Sequence, residues 1–65
     1  MVSMELRIKS LREDNDYTQN QIAEYLLCDL EVYKKYESGE GRMPLELVVK
    51  LAELYNVSVD YIAGR

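Results

Sequence analysis

The sequence has no histidine, one cysteine, one proline, three glycines, and neither phenylalanine nor tryptophan. Each scarcity excludes something. Without histidine the chain lacks the commonest general base and the commonest metal ligand. A lone thiol, Cys28, cannot form an internal disulfide, which argues against a secreted mini-protein and fits a reducing cytoplasm. With so little glycine and proline, no linker or low-complexity tract is visible. No apolar run approaches the ~20 residues that a membrane helix requires. Met1-Val2-Ser3-Met4-Glu5 has no apolar core followed by a cleavage site, so no signal peptide is expected. Together these point to a cytoplasmic protein with no membrane partner. Positive charge is also short: twelve acids against eight bases leave a net charge of −4. Taken alone, that balance argues mildly against nucleic acid.

What is present is ample for a fold. A length of 65 residues leaves room for one small domain, residues 1–65, with an ordered core expected at about 4–64. A chain of this size buries only about 60% of the surface its unfolded form exposes, so the core is thin. The 48% of hydrophobic residues is too much for a disordered tail.

The apolar positions keep helical time. Met4, Ile8 and Leu11 fall on one stripe of a first helix. Asp14-Asn15-Asp16 breaks it, because these short side chains compete for backbone hydrogen bonds. Thr18 with Gln21 is a capping box, and Tyr17 with Ile22 a hydrophobic staple. The second helix then runs from Gln19 to about Leu26 and buries Ile22, Ala23 and Leu26. Asp29 is the expected N-cap of a third helix, Leu30–Glu37, which Gly39 and Gly41 end. Pro44 sits where a fourth helix can begin. Leu47, Val48, Leu51, Ala52, Leu54 and Tyr55 make its face wide enough for a central core helix. Asn56 suits a left-handed C-terminal position. Ser58 caps a short fifth helix through Val59 and Ile62, ended by Gly64. The expected fold class is all-α, a compact five-helix bundle. No separate ligand-sensing or oligomerisation segment is expected in a chain this short.

The pair Gln19–Leu26 and Leu30–Glu37, joined by a short turn, is a helix-turn-helix pattern. Spacing alone makes this a weak signal; the residues make it specific. Arg7 to Glu13, Thr18 to Leu26, Tyr33 to Gly39, Arg42 to Glu46 and Lys50 to Ile62 resemble, in order and spacing, the Xre family of phage-repressor-like (Cro/CI-type) transcriptional regulators. The resemblance covers nearly the whole chain and implies a lambda-repressor-like domain with helices 2 and 3 as the helix-turn-helix. It further implies that Gln19 bonds a DNA phosphate and braces the recognition helix. The first residues of helix 3, Leu30, Glu31 and Val32, with Lys34 and Lys35 beyond them, would reach base edges in the major groove. Arg12 and Glu37 match an ion pair that ties the first helix to the end of the third, and the outer face of Arg12 can meet a phosphate. Ser38 to Arg42 matches a loop whose backbone N–H groups follow the sugar-phosphate chain. Lys9 is a further candidate phosphate contact.

The departures from that pattern fall on the reading surface. Leu27 takes a turn position where the family usually has Gly or Asn, at a cost of ~1 kcal/mol if the backbone is left-handed. Leu30 and Val32 replace polar residues and suit thymine methyl groups. Glu31 is repelled by phosphate but can accept from a cytosine amino group.

Plainer accounts cover the remaining features. Tyr33, Tyr36 and Tyr55 read as core or semi-core rings with the hydroxyl near the surface. Cys28 reads as a small buried hydrophobe. Glu13, Asp14 and Asp16 lack the ligand spacing of a calcium loop. No nucleophile–base arrangement is present, so an enzyme is not expected, nor a cofactor or small-molecule ligand. The leading expectation is a sequence-specific regulator of double-stranded DNA, most simply a repressor. It would act as a homodimer, weak without DNA, with recognition helices about 34 Å apart. The exposed side of helix 5 (Val57, Tyr61, Ile62) is the candidate dimer contact. The alternative is a protein-interaction or antitoxin-like accessory module on the same fold, motivated by the acidic balance and by Leu30-Glu31-Val32. The net charge does not veto DNA if Arg12, Lys34, Lys35 and Arg42 group on one face while Glu24, Glu46, Glu53 and Asp60 turn away.

Overall fold

A computed structural model describes residues 3–64. Met1, Val2 and Arg65, at the ends of the expected domain, lie outside the described residues. Five helices follow one another: α1 (Met4–Asp14), α2 (Gln19–Leu26), α3 (Leu30–Ser38), α4 (Leu45–Tyr55) and α5 (Val59–Ala63).

The ends of the helices are set by local hydrogen bonds. The Ser3 side chain accepts from the Leu6 N–H at the start of α1. Both halves of the capping box form at α2: Thr18 Oγ1 accepts from the Gln21 N–H, and Gln21 Oε1 accepts from the Thr18 N–H. Ser58 caps α5 by accepting from the Tyr61 N–H. Asp29 departs from expectation. It occupies the N-cap of α3, but its carboxylate makes no capping hydrogen bond there, so only its charge favours that terminus. Pro44 is the N-cap of α4. Asn56 closes α4 at φ 57°, in the left-handed region expected for it.

Leu27 is the costly stop. It ends α2 at φ 58° and ψ 41°, and its side chain is 85% exposed. The backbone is strained for a residue with a Cβ, and the leucine recovers little by burial. The turn keeps the shape that the family pattern implies, against the preference of the residue placed in it.

Ile8, Ile22, Leu51, Ile62 and Tyr33 are completely enclosed and join Ala23, Leu26, Met43, Val48, Ala52 and Tyr55 in one core. Each fully buried aliphatic side chain contributes about 1.5–3 kcal/mol. Cys28 is half-buried against this core rather than fully inside it, and desolvation with the nearby Asp29 charge raises its pKa. Ile62 overturns part of the expected dimer face: it is 0% exposed, so α5 turns that side chain inward. Val57 is also half-buried against the core, leaving Tyr61, whose ring is covered by the Arg7 guanidinium at 4.2 Å. That cation–π contact ties α1 to α5.

The tyrosines differ from expectation in the same direction. The hydroxyls of Tyr33 and Tyr55 are buried, with no hydrogen-bond partner among the described residues. Tyr33 Oη makes no hydrogen bond to Glu37, although the carboxylate one turn along α3 bears on it electrostatically. Desolvation, then the Glu37 charge, holds both phenols neutral, with Tyr55 pushed up to about 12.

Beside them lies the ion pair expected from sequence. Arg12 Nε donates to Glu37 Oε2 at 2.7 Å and Nη2 to Oε1 at 3.2 Å, with side-chain exposures of 12% and 5%. Arg12 Nη1 also donates to the Tyr17 carbonyl at 2.9 Å, fixing the guanidinium against the loop before α2. Burial alone would raise the Glu37 pKa; hydrogen bonds from Arg12 and Gln19 and the Arg12 charge outweigh it and leave it lowered.

Three outcomes follow. Leu27→Gly relieves the left-handed strain and is expected to stabilise the domain by roughly 0.5–1 kcal/mol. Thermal melting should rise by several degrees in a domain this small. Because the folded pKa of Glu37 lies below its ordinary value of 4.5, its contribution is fully present above that pH and is lost as pH falls through the folded value. Melting temperature measured against pH should therefore fall more steeply below about pH 4.5 in the wild type than in Glu37→Gln. Glu37→Ala, which strands the Arg12 charge, should cost about 3–5 kcal/mol in urea titration.

Candidate nucleic-acid interface

The turn of α3 sorts its side chains. Leu30, Tyr33 and Glu37 recur at helical spacing on the inward side, Tyr33 being fully buried and the other two partly so. Glu31, Val32, Lys34, Lys35 and Ser38 are all exposed. The ion pair at Glu37 and the enclosed Tyr33 ring therefore determine which edge of α3 is left for a partner. Leu30, expected to read bases, is partly packed against the core, so only part of its side chain is available. Val32 is 37% exposed and is the apolar side chain that this face does offer.

A groove of about 300 Å³ runs along the junction of α1, α2 and α3. Lys9 and Arg12 line it from α1, Gln19 from the first turn of α2, and Lys34, Glu37 and Ser38 from α3. Three cations and one carboxylate give it a local charge of +2 in a chain whose net charge is −4. Lys9 thus belongs with Gln19 and Lys34. Arg12 is spent mainly on Glu37 and the Tyr17 carbonyl, leaving little of its guanidinium outward. Gln19 Nε2 donates to Glu37 Oε1 at 3.1 Å; the sequence implied a brace on the recognition helix but not this partner. A polar side chain 18 residues from a carboxylate carries no local spacing signal that would reveal it.

The remaining expected residues lie apart from the groove. Lys35 is exposed and its stem lies against the loop at Gly41. Arg42 is exposed on that loop. The loop differs from its expected role, because its backbone donors are partly used internally. The Gly41 N–H bonds the Lys35 carbonyl at 3.1 Å, and the Glu40 N–H reaches Ser38 Oγ at 3.4 Å. Ser38 Oγ in turn donates to the Lys35 carbonyl at 3.1 Å, so its proton is not directed outward. Gly39 makes the turn possible at φ 85°, a conformation that a Cβ would strain.

Among the described residues, no group of three or more His, Cys, Asp or Glu side chains is placed to hold a metal ion. No described helix is long and apolar enough to cross a membrane.

Comparison with known proteins agrees with this geometry. A family model described as helix-turn-helix matches residues 8–62. The chain is 41% identical over 59 residues to the cryptic phage CTXphi transcriptional repressor RstR of Vibrio cholerae, covering 91% of this chain and 53% of that protein. It is 41% identical over 58 residues to the uncharacterized HTH-type transcriptional regulator YobD of Bacillus subtilis, covering 89% and 52%. It is 34% identical over 64 residues to the HTH-type transcriptional regulator ImmR of the same organism, covering 98% and 50%. The chain therefore spans about half the length of the curated relatives it matches. No solved structure matches it significantly. The matched family and relatives are transcriptional regulators, which are not enzymes. A helix-turn-helix match across most of the chain, on five helices in the expected order, places it plainly: the chain belongs to the Xre-type helix-turn-helix family.

Proposed function

We propose that the chain binds double-stranded DNA in a sequence-specific manner, with α3 in the major groove, and acts as a transcriptional repressor. The observation that carries this reading is the convergence of Lys9, Gln19 and Lys34 on one positive groove beside the exposed edge of α3. Cations and amide donors at a groove suit phosphate oxygens, which only accept. The adjacent Glu31, Val32 and Lys35 supply an acceptor, a methyl-contacting surface and a donor for base edges. Arg42, exposed on the loop after α3, adds a further cation outside the groove. The relative named as a transcriptional repressor supports the direction of regulation.

Dimeric binding to a two-fold site fits the small interface that one module of this kind offers. With Ile62 in the core, the α5 surface left for a second protomer centres on Tyr61. The modest local charge implies weak non-specific binding, so specificity rests on the edge of α3 and on half-site spacing.

Selection of bound duplexes from a random pool at two salt concentrations, followed by fluorescence anisotropy, tests this reading. Binding should weaken steeply with salt. Lys34→Glu should lower affinity about tenfold or more and flatten the salt dependence by about one unit of slope, at all sequences alike. Val32→Ala should instead alter which base pair is preferred, with little change in slope. Failure of the wild-type chain to enrich or retard any duplex at low salt would refute DNA binding.

A further inference from the structure

The contact between Gln19 and Glu37 has a directional consequence. A glutamine amide has a donating end and an accepting end, and a half-turn about its last bond exchanges them. A phosphate can use only the donating end. In the groove the ambiguity is removed, because Glu37 Oε1 is already held by Arg12 Nη2 at 3.2 Å and accepts Gln19 Nε2 at 3.1 Å. The carboxylate is 5% exposed and has no proton to give. A reversed amide would place its carbonyl oxygen against that largely covered charge, a costly arrangement. The carboxylate cannot turn aside, since Arg12 Nε holds Oε2 at 2.7 Å and Arg12 is itself anchored to the Tyr17 carbonyl.

We propose that Glu37 is a positioning residue for DNA binding: by accepting one Nε2 proton of Gln19, it keeps the second Nε2 proton available to a backbone phosphate lying in the groove between α1, α2 and α3. This rests on the reading of that groove as a phosphate site. Arg12 has a complementary part, neutralising Glu37 so that a phosphate can approach a wall containing a carboxylate.

Positioning and simple electrostatics predict opposite signs. Removing a negative charge from a phosphate-facing groove strengthens binding if only Coulomb attraction matters. If Glu37 orients Gln19, the same change weakens it. A glutamine at position 37 can still accept a hydrogen bond, but its own amide can turn and no longer dictates the orientation of Gln19.

The test measures the affinity of the whole chain for its selected duplex at one fixed salt concentration, corrected for the folded fraction from circular dichroism. Glu37→Gln should lower affinity about 3–10-fold, the scale of one hydrogen bond. In a Gln19→Ala background, the same substitution should leave affinity unchanged or slightly raised, a coupling that lost stability alone does not produce. Glu37→Gln binding as tightly as wild type, or losing equally in both backgrounds, would overturn the proposal. A wild-type chain that binds no duplex overturns it together with the DNA reading, whereas intact wild-type binding with no coupling overturns it alone.

Should Glu37→Gln fail to fold, nitrogen-15 spectra of the wild type decide. The two Gln19 Nε2 protons should be resolved and slow to exchange in the free protein, and one of them alone should shift strongly when duplex is added. A degenerate, rapidly exchanging pair would overturn the proposal.

Discussion

One buried carboxylate is shared by three helices. Glu37 on α3 accepts from Arg12 on α1 and from Gln19 at the start of α2. A charge with 5% exposure is tolerable only while these donors stay in place, because an unpaired buried carboxylate costs several kcal/mol. The contact therefore acts as a rotational stop. Once Glu37 must face Arg12, α3 cannot turn about its axis, and Glu31, Lys34 and Lys35 are left outward. The Tyr33 ring, fully enclosed one turn earlier, enforces the same azimuth through packing. What α3 offers to a partner is thus a by-product of what it must bury.

The charge of the chain makes sense only at this scale. A net charge of −4 describes the far field, whereas the groove between α1, α2 and α3 carries a local excess of positive charge. At physiological salt, interactions between exposed charges are largely screened beyond about 8 Å. A phosphate entering the groove responds first to Lys9, Lys34 and the Gln19 amide that line it. Arg12 adds less than its formal charge suggests, since the ion pair consumes most of it. The same economy limits the loop after α3, where the Glu40 and Gly41 N–H groups close the turn internally.

Much of this was legible in the sequence, and the failures have definite causes. Helix order, the Thr18–Gln21 box, the Ser58 cap and the left-handed Asn56 all depend on partners within four residues, which spacing reveals. Ile62 was misread because α5 has only five residues, too few for a periodic stripe. Neighbouring side chains on a helix point about 100° apart, so only one of Tyr61 and Ile62 could face the core, and nothing in five residues says which. Leu30 is half-buried for a related reason: the first turn of a helix can lean on the core while its next residues do not. The tyrosine hydroxyls of Tyr33 and Tyr55 were placed near the surface by ordinary preference, and packing beside Glu37 overrode it.

The sequence by itself determined the number and limits of the helices, the turn that joins α2 to α3, and the pairing of Arg12 with Glu37 through the family pattern. It also marked Leu27 as a residue at odds with its backbone, and φ 58° shows the turn prevailing over the side chain. Only the tertiary structure decided that Lys9 stands with Lys34, that Arg12 is nearly spent, and that Glu37 also holds Gln19. The physical reason is distance along the chain. Caps and stripes are made by neighbours, whose geometry follows from helical spacing. The groove joins side chains from three helices, and the contacts to Glu37 span 18 and 25 residues. Their convergence is set by the packing of α1, α2 and α3 around a common core.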